Sequence, residues 1–297
     1  MNLGFAYREQ IGPETAGATV LEHLARRYRH SSEAVWRRRM AAGEVRLQEV
    51  VAAASDRLAT GQWLVWQRPP WQEPDVPLAF AVLHRDADLL AVAKPRGLPC
   101  VPNGGFLTHT LLHLVRRRWP AATPLHRLGR GTSGLVLFAL TRDARRLVSA
   151  EWRAGRVEKE YLALVSGVPE RSDWTIDTPI GPVPHPRLGH VHATSSDGKP
   201  ALSHVRVIAA RAESAIVCVR IPTGRPHQIR IHLAASGHPL VGDPLYVAGG
   251  RPGANAALPG EGGYRLHAWR IGLAHPAGRR LDVECPPPRD LALVARL

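Results

Sequence analysis

The densest gathering of anion-seeking side chains in the chain is Thr223–His232, TGRPHQIRIH, where Arg225, His227, Gln228 and Arg230 crowd together. Pro226 and the later Gly237 predict a helix with the proline in its first turn and the glycine at its end. The first turn of a helix already favours negative charge, and guanidinium and imidazole groups there would strengthen that preference. A solvated basic helix end is the plainer reading, but an exposed face has no reason to be so dense in these residue types. A second stretch, Leu125–Leu140, LHRLGRGTSGLVLFAL, sets Arg127, Arg130, glycines and a Thr-Ser pair before a wholly apolar strand. Glycines at a strand entry let the backbone pass close to a ligand, and the two arginines would meet phosphates or bases. A basic loop that merely precedes a core strand is the alternative. The third stretch is EKEYLALVSG, whose Tyr161 opens another apolar strand. By itself such a tyrosine is rim packing; it gains weight beside the other two.

These residues need a scaffold. FAVLH and LLAVA, separated by Asp86–Asp88, read as a hairpin. THTLLHLVRRRW reads as a helix with Leu111, Leu112 and Val115 buried. Leu135–Leu140 is a core strand, and Thr141 caps the helix that follows through Leu147, Val148 and Trp152. HVRVIA and AIVCVRI form an antiparallel pair, and LHAWRIGLA and RRLDVEC are closing strands. The expected class is α+β, a mixed, mostly antiparallel sheet with flanking helices.

Ahead of this lies a smaller α+β module, residues 1–70. It has one helix around Leu21, Leu24, Ala25 and Tyr28, and a second capped by Ser31 or Ser32 and stopped at Gly43. Short strands follow at Val45–Val50 and Trp63–Trp66. The four prolines of Arg68–Pro77 mark a linker, and residues 76–297 form the larger domain.

With 39 Lys+Arg against 25 Asp+Glu the formal net charge is +14, a surface suited to polyanions, of which nucleic acid is the commonest. Cys100, Cys218 and Cys285 make no C-x-x-C, which argues against a zinc ribbon or a disulfide framework and for a reducing cytoplasm. The N-terminus has no signal-peptide pattern, and no segment is apolar enough for a membrane span.

Taken together, HRLGRGTSGLVLFA, TGRPHQIRIHLAASGHPLVGDPLY, DADLLAVAKPRGLP, KEYLALVSG and LHAWRIGLAHP resemble, in order, the motifs of the RluA-type rRNA and tRNA pseudouridine synthases. The N-terminal module resembles the small RNA-binding domain of ribosomal-protein-S-four type, with Arg37, Arg38 and Arg39 on its phosphate-contacting face. The resemblance implies a pseudouridine synthase fold, isomerisation of uridine in structured RNA, no cofactor, and a monomer with RNA as its partner. It implies that Arg127 fills the gap left by a flipped base, and that Tyr161 is a catalytic residue lying against that base and able to assist proton transfer. Arg230 is implied to pair with the catalytic carboxylate, while Arg130, Arg225, His227 and Gln228 contact RNA.

The family's catalytic aspartate follows HRL, and here that position is Gly129. Glycine offers neither nucleophile nor base. Asp143 lies beyond a strand of about 20 Å, Glu160 should face away from Tyr161, and Asp243 is the least unsuitable substitute. Two readings stand: a synthase with another catalytic group, or a catalytically silent RNA-binding protein on the same scaffold. A metal-dependent hydrolase built on the 15 histidines is a third class. His109 and His113 stand four apart on a predicted helix, and His185, His190 and His192 cluster in a predicted loop. No acid completes an H-E-x-x-H pattern, so no metal site is expected.

Overall fold

Apolar runs long enough to be buried on both faces become the central strands. A computed structural model describes residues 1–253, 257, 258 and 260–292. The chain divides into two units, Met1–Glu73 and Pro74–Leu297.

In the first unit β1 (Phe5–Gln10), β2 (Val45–Leu47), β3 (Val50–Val51) and β4 (Trp63–Arg68) form a four-stranded sheet in the order β1-β4-β2-β3. Helices α1 (Val20–Arg27) and α2 (Glu33–Ala41) pack on it through Val20, Leu21, Leu24, Trp36 and Met40. Thr19 begins α1 with a full capping box to Glu22, Ser32 caps α2, and Gly43 follows its end at φ +75°. Strand β1 has no counterpart in the sequence reading. Its residues are nearly all exposed, so no alternation betrays it, and pairing with β4 alone makes it a strand. The first half of the proline-rich stretch belongs to this unit. Asn2 and Trp71 exchange hydrogen bonds of 3.1 Å, Asn2 Nδ2 donates to Glu73 Oε1 at 2.9 Å, and the Arg68 guanidinium lies 3.4 Å from the Trp71 ring centre.

The second unit holds β5 (Ala81–Arg85), β6 (Leu89–Lys94), α3 (Leu111–Arg116), β7 (Thr123–Pro124), β8 (Ser133–Ala139), α4 (Arg142–Arg153) and β9 (Glu158–Ser166). It continues with β10 (Asp173–Ile176), β11 (Ile180–His185), β12 (Gly189–Thr194), β13 (Ser203–Ala210), β14 (Ser214–Arg220), α5 (Gln228–Ala235), β15 (Leu266–Ala274) and β16 (Arg280–Glu284). A ten-stranded sheet runs β10-β13-β14-β9-β15-β8-β6-β5, with β16 beside β15 and β7 beside β8. Among the described residues only the β15–β8 pairing is parallel, so the sheet is mixed and mostly antiparallel, as expected.

Some local expectations need correction. Leu147 on α4 is exposed and Leu112 on α3 only half-buried, because each helix lays a narrower stripe on the sheet than its apolar residues offer. Helix α5 begins at Gln228, so Pro226 precedes it; the residue before the helix is His227, at φ +57°. His109 precedes the α3 cap Thr110 and is not on the helix with His113. His185, His190 and His192 lie on the β11–β12 hairpin, not in a loop, and no group of acidic, histidine or cysteine side chains among the described residues is arranged to hold a metal.

Candidate active site

The TSG triplet shows how the sheet assembles the site. Gly134 has φ +111°, and a Cβ there would drive into the backbone of Ala268, so only glycine lets β8 enter beside β15. Ser133 Oγ lies 3.0 Å from His267 Nδ1, and Thr132 Oγ1 lies 3.3 Å from Tyr264 Oη. The close backbone approach at Gly134 is therefore to β15. Ala268 also pairs with Tyr161 of β9. One β15 residue thus joins the HRLGRGTSG loop to the tyrosine strand.

The hairpin's Lys-Pro-Arg-Gly end holds the same loop from the other side. The buried Lys94 ammonium donates to the carbonyls of Pro95 (2.9 Å), Leu98 (2.7 Å) and Arg130 (3.2 Å), while Gly97 N donates to Arg130 O at 2.8 Å. Burial brings the Lys94 pKa down to about 8. His126 stacks on Trp152 with ring centres 4.6 Å apart, and its Nε2 accepts from Leu137 N at 3.0 Å. Burial, with Lys159 nearby, pushes this imidazole down to about 3, so it is a neutral strut. Between these anchors Arg127 and Gly129 are exposed. Arg130 is tied down: Nε donates to Gly260 O at 3.0 Å and the guanidinium lies 5.6 Å from the Phe106 ring centre.

Helix α5 delivers Arg230. Its Nε and Nη2 each donate to Asp243, at 2.7 Å, with side-chain exposures of 3 % and 1 % for the pair. Asp243 Oδ1 also accepts from Leu245 N (2.9 Å) and Tyr246 N (3.1 Å). The guanidinium is flanked by Tyr264, 4.2 Å to the ring centre, and Tyr246, 4.9 Å. Burial alone would lower the Arg230 pKa; the hydrogen bonds and charge of Asp243 outweigh it and raise the value. With glycine at 129, Arg230 takes its carboxylate from the GDPLY turn and not from the HRL loop. Asp243 is correspondingly committed, and so a poor stand-in for the missing acid.

The other TGRPHQ residues divide into surface and framework. Gln228 is 2 % exposed; it accepts from Thr223 Oγ1 and Arg225 N and donates to Leu202 O and Ser203 Oγ. Those bonds consume its amide, which reassigns it from RNA contact to holding the loop. Arg225 is half-buried, with Nε on Pro200 O at 2.9 Å. His227 Nδ1 lies 2.8 Å from Tyr246 Oη, whose hydroxyl donates to His192 O, so the proton of that contact sits on Nδ1. Burial first, then Arg230, His192 and Arg127, push His227 down to about 4. Tyr161 sits where two core clusters meet, and burial pushes its phenol up to about 12.

On the first unit the Arg37–Arg39 run is not one face. Arg37 bonds Glu33 (2.8 Å) and Arg38 is exposed, whereas Arg39 lies between Trp36 and Trp66, with 4.6 and 4.3 Å to the ring centres. Arg8, Arg46 and Trp63 line a cavity of about 160 Å³ on the sheet, which no motif in the sequence signals. Tyr264 also escaped the sequence reading, being a single aromatic outside any charged cluster, while Tyr246 entered only as the end of the GDPLY motif.

Residues 88–235 match the RNA pseudouridylate synthase family. An uncharacterized RNA pseudouridine synthase of Synechocystis sp. is 42% identical over 86% of this chain and 89% of its own. RNA pseudouridine synthase 5 of Arabidopsis thaliana is 37% identical over 92% of this chain and 89% of its own. The chain belongs to the RNA pseudouridine synthase family. Human RNA pseudouridylate synthase domain containing 1 superposes on 73% of this chain and 86% of its own, with a TM-score of 0.57 and 28% identity. The protein is an RNA-modifying enzyme that isomerises uridine to pseudouridine, and the silent-binder alternative finds no support among these relatives.

Proposed function

We propose that the target is a uridine in ribosomal or transfer RNA, that residues 76–297 carry out the reaction, and that residues 1–70 are an RNA-binding module of ribosomal-protein-S-four type. The observation that carries this reading is the convergence of the HRLGRGTSG loop, Tyr161 and the buried Arg230 around Tyr264 and the first residues of β15. In the reaction the C1′–N1 bond breaks, uracil turns, and C1′ rejoins C5. C5 then releases a proton and N1 ends with one, so substrate and product are isomers. Taking the base out of the stack costs a few kcal/mol, which protein contacts offset.

In this reading Arg127, exposed beside the loop, fills the gap in the stack. Tyr161 lies against the flipped base. Arg130, Arg225 and His227 face the flanking backbone, and on the module Arg37 and Arg38 meet phosphates. The α1–α2 pair packed on a small sheet, with exposed arginines on α2, supports the assignment of the module. The enzyme works as a cytoplasmic monomer without a cofactor. Pseudouridine mapping of ribosomal and transfer RNA from cells with and without the gene tests the reading. One or a few sites should vanish with the gene and return when purified protein is added to the deficient RNA. An unchanged map would overturn it.

A further inference from the structure

We propose that Tyr264 does the polar work of the side chain that position 129 lacks, its phenol serving as the acid–base group presented to the flipped nucleotide. The inference rests on the reading of this protein as an active synthase.

The two glycines of Gly129–Arg130–Gly131 are a mould of one tyrosine. A Cβ at Gly129 would lie 2.9 Å from Tyr264 Oη, and a Cβ at Gly131 would lie 2.8 Å from Cε1 and Cζ of the same ring. The phenol oxygen therefore stands close to where an oxygen of a residue-129 carboxylate would reach from its own Cβ. Its ring lies against the arginine that such a carboxylate would pair with, the Arg230 guanidinium being 4.2 Å from the ring centre.

The placement is held by backbone. Gly263, at φ +121°, meets Gly242, at φ +77°, so closely that a Cβ on either would strike the other's carbonyl oxygen at 2.6–2.7 Å. That contact ties the chain entering Tyr264 to the turn carrying Asp243. Among the described residues Thr132 Oγ1, 3.3 Å from Oη, is the hydrogen-bond partner of this group, which can both donate and accept. Tyr264 is 1 % exposed, so the nucleotide meets its oxygen once the loop lifts. Arg130 is the lever: a phosphate is a stronger partner for it than the Gly260 carbonyl it now holds. In the reaction the phenol lends a proton and takes one back, so N1 gains a proton, C5 gives one up, and the enzyme ends unchanged.

The test uses full-length protein and RNA from cells lacking the gene, with pseudouridine as the readout. Tyr264→Phe keeps the ring and should keep the melting temperature and RNA affinity, while kcat falls about a hundredfold or more, as loss of an acid–base group does. Fluorotyrosine at position 264, with a more acidic phenol, should move a limb of the pH–rate profile to lower pH. A Tyr264→Phe rate within threefold of wild type, or a pH profile that fluorotyrosine leaves in place, would overturn the inference. A folded, RNA-bound wild type with no activity would instead overturn the functional reading beneath it.

Discussion

Arg39 and Arg230 occupy the same kind of slot in the two units, each guanidinium lying against two aromatic rings. Burial penalises both charges, yet the outcomes differ in sign. Arg39 has no carboxylate within ion-pair distance among the described residues; its guanidinium donates to Ser31 Oγ at 2.9 Å, and its pKa is lowered, burial first. Arg230 has Asp243 on two of its nitrogens, and its pKa is raised. Aromatic faces position a guanidinium in both places, but only the carboxylate neutralises it. Arg39 thus keeps a charge with no carboxylate bonded to it, and Arg230 is spent inside the protein.

The sharpest way to break that contrast is Asp243→Asn. It leaves a buried guanidinium without its counter-charge, which should cost about 3–5 kcal/mol in denaturant unfolding. A loss under about 1 kcal/mol would mean that the rings alone suffice to hold Arg230, as they do Arg39. Gly129→Asp comes next. Its Cβ meets Tyr264 Oη, so overpacking should cost about 1–3 kcal/mol. Adding Tyr264→Phe should recover most of that, and a double-mutant cycle with no coupling would contradict the mould.

Acid sharpens the comparison through His126, an imidazole that the fold keeps neutral. The pKa of His126 is about 3 in the folded protein, below its unfolded value, so the unfolded chain binds the extra proton between the two. Stability should therefore be full above about pH 6.5 and fall with decreasing pH until about pH 3 is reached. His126→Asn should flatten that slope by up to about 1.4 kcal/mol per pH unit; an unchanged slope would show that the ring protonates in place. The smallest effect is expected from Arg39→Met, about 1 kcal/mol of stability from the lost cation–π contacts. If Arg39 does meet a phosphate, RNA affinity should lose about one unit of salt slope.

The elements legible in the chain were those whose signals are local. Thr141 and Ser32 cap the helices that follow them, the apolar run from Leu135 to Ala139 is the core of β8, and the arginine-rich motifs stand in family order. Strand β1 was not legible, because a strand exposed on both faces has no pattern until β4 pairs with it. Gln228 was misread for the opposite reason: its residue type is as suited to an internal clamp as to RNA, and only burial tells them apart.

By itself the sequence determined the family, the basic character of the surface, and the absence of a carboxylate at position 129. The tertiary structure alone decided which carboxylate Arg230 would take and which oxygen would fill the space at Gly129. Thr132 and Tyr264 are 132 positions apart, and no periodicity or spacing reaches across that distance. They meet because Gly134 lets β8 slide in beside β15, so a pairing of strands brings the phenol beneath the glycines.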